Sequence, residues 1–392
     1  MLAMKKKGKT KKRKTLRTLV ILALTVAGII IMGLFYYFNQ ATGKASHPIY
    51  EEVFSIPSDL GRAIAGIDRA IYKALYQGKI SEGNILFLSV KPKRERGNEW
   101  DFTELMIKFP KDEAILQLDA LLRAEITPLK PKVQYESKKI SEKEIDGLIS
   151  ALGFRTHQIK LRREGTQKTP LLRLPKVAII FDDLGYDLDI VKALIKLDLP
   201  LSLSLLPVAP HREGILKAAQ KTNSELMLHL PMEPNEYPRF NPGPGTLFTH
   251  MKAEEIQGIL GDHLGRIPGV RGVNNHMGSS FTRREDKMGI VLRELKRRQL
   301  FYVDSRTTSG SVAFDLAERL GVHAGKRSVF LDNDLTPKAI TFQMERLLGI
   351  ARHSGAAIGI GHPHWETLKI LDTYRLELKD NFEMVPVSKL VK

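Results

Sequence analysis

Cysteine is absent from all 392 residues, which excludes thiolate nucleophiles, cysteine zinc clusters and disulfide staples. Any metal must then be held by His, Asp or Glu, and any nucleophile must be water, an oxyacid or a hydroxyl. No glycine-rich dinucleotide fingerprint and no phosphate-loop lysine motif occurs, so nicotinamide and nucleotide cofactors have no positive support. Acidic residues are missing from the start of the chain, where Glu51 is the first. Residues 5 to 17 hold seven lysines and two arginines, about half of the formal net charge of +17. Spread over a fold, that charge would suggest nucleic acid; packed into a leader it reads as a topology signal, and no nucleic-acid binding is expected.

Directly after the basic block, residues 19–38 carry no charge. Twenty apolar residues suffice for a helix to cross a hydrocarbon core, and Tyr36 and Tyr37 suit its interfacial end. The reading is a basic cytosolic tail (1–18) and a single-pass signal anchor (19–38) in the cell (inner) membrane, with the body extracytoplasmic or periplasmic. A cleaved signal peptide is the alternative, but the run is long for one and no small-residue cleavage site follows.

Residues 39–58 read as a linker. From 59 to 165 the pattern predicts a small α+β domain: a helix over 60–76, strands over 85–90 and 99–109 around a charged turn at 92–97, a helix over 110–122, and a strand over 154–162. The run Ser141-Glu142-Lys143-Glu144 resembles a capping box and predicts a helix ending at Gly153. Basic residues at 91, 93, 94, 96, 130 and 132 read as a solvated face.

Between 175 and 392 the pattern becomes strand then helix, repeated. Strands are expected over 177–181, 201–206, 226–230, 272–275, 300–303, 328–331, 356–360 and 382–385, with helices including 188–197, 253–264, 286–298, 312–320 and 339–352. This alternation argues for a mostly parallel sheet, closed as a barrel or open and doubly wound, with ligands beyond the C-terminal strand ends. Unusual polar residues fall at those ends: Asp182 and Asp183, His229, His276, Asp304 with Arg306, and His362 with His364. One carboxylate and two imidazoles with an open water position make a catalytic zinc set, and a second carboxylate can take the proton as water attacks. The adjacent aspartates fit that division. Taken alone, His229 between leucines also suits a core imidazole, and the pair could cap a helix. His47, His157, His211, His250, His263, His323 and His353 read as surface or capping groups.

In order along the chain, FDDLGYD, LHLPMEP, NNHMGSSFT, VDSRTTSGS, VFLDND and IGIGHPHWET resemble the divergent polysaccharide deacetylase family over about 176–392. That resemblance implies a distorted (β/α) barrel, a divalent metal, most commonly Zn2+, and hydrolysis of acetamido groups on a glycan. Carried onto this chain, it makes Asp183, His229 and His276 the metal ligands and Asp182 the general base. His362 or His364 would protonate the departing amine, and Asp304 and Arg306 would orient or tune that shell. Typical polysaccharide deacetylases carry both metal histidines as H-x-x-x-H on one segment; here they come from different strands, so polymer preference does not transfer. The expectation is a metal-dependent carbohydrate N-deacetylase acting on an envelope poly- or oligosaccharide. The alternatives are a non-catalytic glycan-binding or structural envelope protein and, third, a metal phosphoesterase, which would need a cluster of basic residues at the mouth.

Overall fold

The computed structural model describes residues 59–80, 84–109, 113–163 and 174–392, apart from 221 and 223. The expected anchor (19–38) and linker (39–58) lie outside the described residues. Among the described residues no helix is long and apolar enough to cross a membrane.

The first described region is a five-stranded sheet with helices packed on it. Helix α1 (Asp59–Gln77) buries Leu60, Ile67, Ile71, Ala74 and Leu75, a helical spacing that forms one apolar stripe. Strands β1 (Ile85–Glu95) and β2 (Asn98–Phe109) form a hairpin, followed by helix α2 (Glu113–Ile126), β3 (Val133–Ser141), β4 (Glu144–Ala151) and β5 (Phe154–Arg163). Their order is β1-β2-β5-β4-β3, with only β2 and β5 parallel. The β1–β2 turn is shorter than the sequence suggested: the strand runs through Pro92 to Glu95, and Arg96 and Gly97 turn with φ of 49° and 77°.

The helix expected over 141–153 does not form; residues 142 and 143 turn a hairpin between β3 and β4. Strand β4 buries every second residue, with Ile145, Ile149 and Ala151 inward. That two-residue period and its β-branched isoleucines outweigh the cap signal. Ser141 caps the turn instead, its Oγ accepting from the Lys143 N–H at 3.2 Å.

Beyond it lies a run of parallel strands and helices: β6 (Lys176–Leu184), α3 (Leu188–Lys196), β7 (Ser202–Leu205), α4 (Arg212–Ala219), β8 (Glu225–Met232), α5 (Ala253–Arg266), β9 (Gly272–Met277), α6 (Glu285–Arg297) and β10 (Phe301–Asp304). It continues with α7 (Ala313–Leu320), β11 (Ala324–Lys326), β12 (Val329–Phe330), α8 (Pro337–Ser354), β13 (Ala356–Gly361), α9 (Trp365–Asn381) and β14 (Glu383–Met384). The spatial order is β11-β10-β9-β8-β7-β6-β13-β12, with β14 beside the start of β6. The two ends of this path, β11 and β12, are separated by Arg327 and Ser328 alone. Arg327 N donates to Asp304 O on β10 at 3.0 Å, and Ser328 N donates to Ile358 O on β13 at 2.8 Å. Two residues of backbone therefore bridge the gap that a ladder would close in a regular barrel. The three-residue β11 was not foreseen, being too short to show periodicity.

Pleating then sorts the side chains, since successive residues on a strand face opposite ways. On β6, Val177, Ile179 and Phe181 pack outward in the large core shared with the helices, while Ala178 and Ile180 join a second, inner cluster. Met227 on β8, Phe301 and Val303 on β10, Phe330 on β12, and Ile358 and Ile360 on β13 belong to the same inner cluster. Asp182, His229, Asn274, His276, Asp332 and His362 share their parity and continue this inner face toward the C-terminal rim.

Candidate metal centre

Asp183 breaks the alternation of β6. The register with β7 shifts between Phe181 and Leu184, and Asp183 itself has φ of 54°. Such a bulge re-aims a side chain, which lets two adjacent carboxylates reach the same interior. Gly185 follows with φ of 147°, and a Cβ there would lie 2.1 Å from the Ala209 Cβ. The bulge and the glycine turn together fix where the strand ends.

Three ligand atoms converge above this end. His276 Nδ1 lies 2.8 Å and His229 Nε2 2.9 Å from Asp183 Oδ1, and the two imidazole nitrogens are 3.2 Å apart. All three residues are buried. Metal bonds of about 2.0–2.2 Å in a tetrahedral site bring ligand atoms to roughly this separation. The oxygens of Asp183 are buried without an aligned hydrogen-bond donor, an expensive state unless a cation or proton compensates.

Asn274, fully buried, joins this cluster to the second carboxylate. Its Nδ2 donates to both oxygens of Asp182 at 2.8 and 2.9 Å and reaches Ser305 Oγ at 3.2 Å. Its Oδ1 accepts from Ser204 Oγ at 2.6 Å and faces His229 Nδ1 at 3.0 Å. That polarity keeps the hydrogen on His229 Nδ1 and, in the neutral ring, turns the Nε2 lone pair toward Asp183. A lone pair and a carboxylate oxygen 2.9 Å apart repel each other unless a cation or a proton sits between them. The acid–base balance agrees: burial lowers the His229 pKa, but Asp182 and Asp183 outweigh it and push it up to about 9. Burial raises Asp183 too, yet His276 and His229 hold it well below the usual carboxylate range. A divalent cation fits this donor set.

Asp182 responds in the opposite sense. Burial raises it above the ordinary aspartate value despite His229, His362 and the Asn274 amide, which suits a carboxylate meant to accept a proton.

His362 stands across from Asp182 with a carboxylate behind it. Asp332 Oδ1 is 2.8 Å from His362 Nδ1, while Oδ2 accepts from the His362 backbone N–H and from Thr367 Oγ1, each at 2.7 Å. This fixes the ring and leaves Nε2 as its outward nitrogen. His364 opens α9 at the half-buried rim, its ring centroid 6.5 Å from that of His362.

Asp304 and Arg306 do not line the inner face themselves and reach it only through their loop. Asp304 follows Val303 on the pleat, so it points away from the inner face. Its carboxylate accepts from Arg306 N at 2.8 Å, Ser311 Oγ at 2.7 Å and Phe314 N at 3.3 Å. Arg306 has φ of 50°, and its guanidinium lies 3.7 Å from Asp101 in the small sheet. Both residues shape the loop that brings Ser305 to Asn274. Two histidines read as surface groups are buried: His157 Nε2 is 3.0 Å from Asp68 Oδ1, and His263 Nε2 is 2.8 Å from Gly245 O. Sequence reasoning missed Asn274, Asp332 and Tyr186, a half-buried phenol raised above its usual range by burial and by the charge of Asp183.

A family profile described as divergent polysaccharide deacetylase matches residues 179–391. The uncharacterized protein YibQ of Escherichia coli (strain K12) is 32% identical over 216 residues, 55% of this chain and 67% of that protein. An uncharacterized protein of Haemophilus influenzae is 29% identical over 215 residues, 55% of this chain and 76% of its own. A crystal structure of an uncharacterized protein from Agrobacterium tumefaciens C58 superposes with a TM-score of 0.54 at 28% identity, covering 56% of this chain and 91% of that one. With more than half of its residues matched, this chain belongs to the divergent polysaccharide deacetylase family.

Proposed function

We propose that this protein is a metal-dependent carbohydrate N-deacetylase that hydrolyses acetamido groups on an envelope poly- or oligosaccharide. One observation carries the reading: ligand atoms of Asp183, His229 and His276 meet within 2.8–3.2 Å of one another, beside a second buried carboxylate and an Asp-backed imidazole. A divalent ion at those three residues, zinc being the simplest choice, supplies Lewis acidity and a water of lowered pKa when bound.

The chain's own residues account for the proton movements. Asp182, both oxygens held by Asn274, accepts the proton that water loses as its oxygen attacks the acetyl carbon. His362 gives a proton from Nε2 to the departing amine, so the C–N bond breaks to a neutral amine and acetic acid, which then loses its proton to water or to the amine. Asp332 keeps the His362 ring oriented and favours its charged form, the role of an orienting carboxylate. The phosphoesterase alternative loses ground, because rim guanidinium groups that could meet phosphoryl charge face carboxylates: Arg283 meets Glu99 and Arg306 meets Asp101.

An envelope location rests on the sequence alone: the basic leader and the uncharged run at 19–38. The test joins metal analysis of the purified protein to acetate release from a panel of N-acetylated glycans. Asp182→Asn is expected to keep the metal and lose turnover. Normal hydrolysis by that variant would remove Asp182 as the base, and bound metal without release across a broad panel would favour the non-catalytic glycan-binding alternative.

A further inference from the structure

The family profile begins at residue 179, so nothing in it assigns a task to the small sheet of β1 to β5. We infer that this sheet is a working part of the active site, with Glu99 and Asp101 on β2 as positioning residues that lock the β10–α7 loop over the metal centre.

Glu99 sits where three segments meet. Its Oε1 accepts from Arg283 Nη2 at 2.8 Å, and its Oε2 accepts from Thr308 Oγ1 at 2.8 Å. The same Arg283 nitrogen donates to Thr308 Oγ1 at 2.6 Å, and Arg283 Nε donates to Ser279 O at 3.0 Å. Arg283 therefore ties the β9–α6 loop to the β10–α7 loop, and Glu99 holds both from outside the barrel. Gly310 completes the seat, since a Cβ there would lie 3.0 Å from the Arg283 guanidinium carbon. Two residues along β2, Asp101 faces Arg306 at 3.7 Å.

From the clamp the contacts run inward to the chemistry. Thr307 Oγ1 donates to Met277 O at 3.1 Å, and Ser305 N donates to Asn275 Oδ1 at 3.0 Å. Ser305 Oγ then meets Asn274, which holds both oxygens of Asp182. Asp182 and the metal ligands all stand on β6, β8 and β9 themselves; what the loop adds is the Ser305 hydroxyl on Asn274 Nδ2, the atom that holds Asp182, and not on the Oδ1 that faces His229. Releasing the clamp should thus disturb the base and leave the ligand set in place.

The clamp has a firm footing. Phe342 of α8 is buried in the core of the small sheet and meets Tyr72 edge-on at 5.8 Å, while Arg346 donates to Thr103 Oγ1 at 2.8 Å. Burial opposes the Glu99 charge, but the Thr308 hydroxyl and Arg283 outweigh it and keep the carboxyl below its ordinary range. A partly buried carboxylate shared by two loops is stable only while both stay in register.

The experiment uses the full chain loaded with zinc and compares wild type with Glu99→Ala, Glu99→Gln and Thr308→Val by hydrogen exchange. Glu99→Ala should speed exchange across 305–312 by about tenfold, with β6 and β8 unchanged. Thr308→Val attacks the same bond from the barrel side and should raise the same segment, while Glu99→Gln, which keeps an acceptor, should fall between. Wild-type exchange at 305–312 in both Glu99→Ala and Thr308→Val overturns the proposal, whether or not the protein turns anything over. The second arm measures acetate release from chitopentaose together with zinc affinity. The expected result is about a tenfold loss of kcat in Glu99→Ala at unchanged zinc affinity. A loss of zinc affinity as large as the loss of kcat would also count against it. Absence of release by the wild type would fault the deacetylase reading, while the exchange arm still decides the clamp.

Discussion

Asn274 is the residue that joins the proposed metal ligands and the proposed base into one buried cluster. Its amide oxygen faces His229 and its amide nitrogen holds Asp182, so an apolar replacement strands both buried partners at once. Asn274→Leu should weaken metal binding about 10- to 100-fold, measured by competition with a chromophoric chelator; unchanged affinity would show that His229 needs no orienting partner. Asp332→Asn separates the roles differently. It keeps an oxygen for His362 but loses the charge behind an imidazolium, so kcat should fall by about 10²- to 10⁴-fold with metal affinity intact. Titratable groups at strand ends are legible as candidates because ligand chemistry restricts residue type, but the choice of Asp183, His229 and His276 among them rests on the family resemblance. Asn274 and Asp332 escape that reading: an asparagine titrates at no pH, and Asp332 lies just past the two-residue strand β12, outside any periodic run. Pleat parity would have found both, since each shares the inner face with the cluster residues, and would have turned Asp304 away from it.

At the scale of elements, the strands were legible wherever apolar residues ran for four or more positions, because a parallel sheet covered by helices asks for them on both faces. Residues 141–153 were misread because a local cap signal was weighed above the alternation of Ile145, Ile149 and Ala151. The end of β6 was also illegible in detail: adjacent aspartates on a regular strand would face opposite sides, and only the positive φ at Asp183 brings both inward. That conformation depends on the turn that follows. Gly185→Ala would drive a Cβ to 2.1 Å from Ala209 in a backbone region that side chains avoid, costing about 1–3 kcal/mol. The variant should unfold earlier in urea and bind zinc more weakly, since the shifted turn carries Asp183 with it. A variant with wild-type zinc affinity would separate the ligand from its turn.

For the whole molecule, two regions that look separable in sequence share one seam, because Phe342 from the barrel is buried in the core of the small sheet. Sequence could not show this, as the contacts join residues nearly two hundred positions apart or more and follow no local period. The two tryptophans, Trp100 in the small sheet and Trp365 at the barrel rim, allow each region to be followed after replacing the other. Glu99, facing Arg94, Arg283 and the Thr308 hydroxyl, makes the seam sensitive to acid. Its carboxyl is held below the ordinary value of 4.5 in the folded protein, so the folded state binds that proton less readily than the unfolded chain does. The stabilisation is complete above that value and is lost as pH falls through the lower folded one. The urea midpoint of Glu99→Gln should therefore lie below that of wild type at about pH 6–7, and the gap should close progressively below about pH 4.5. A gap that stays constant down to about pH 3 would assign the contribution of Glu99 to its shape and hydrogen bonds and remove its charge from the account.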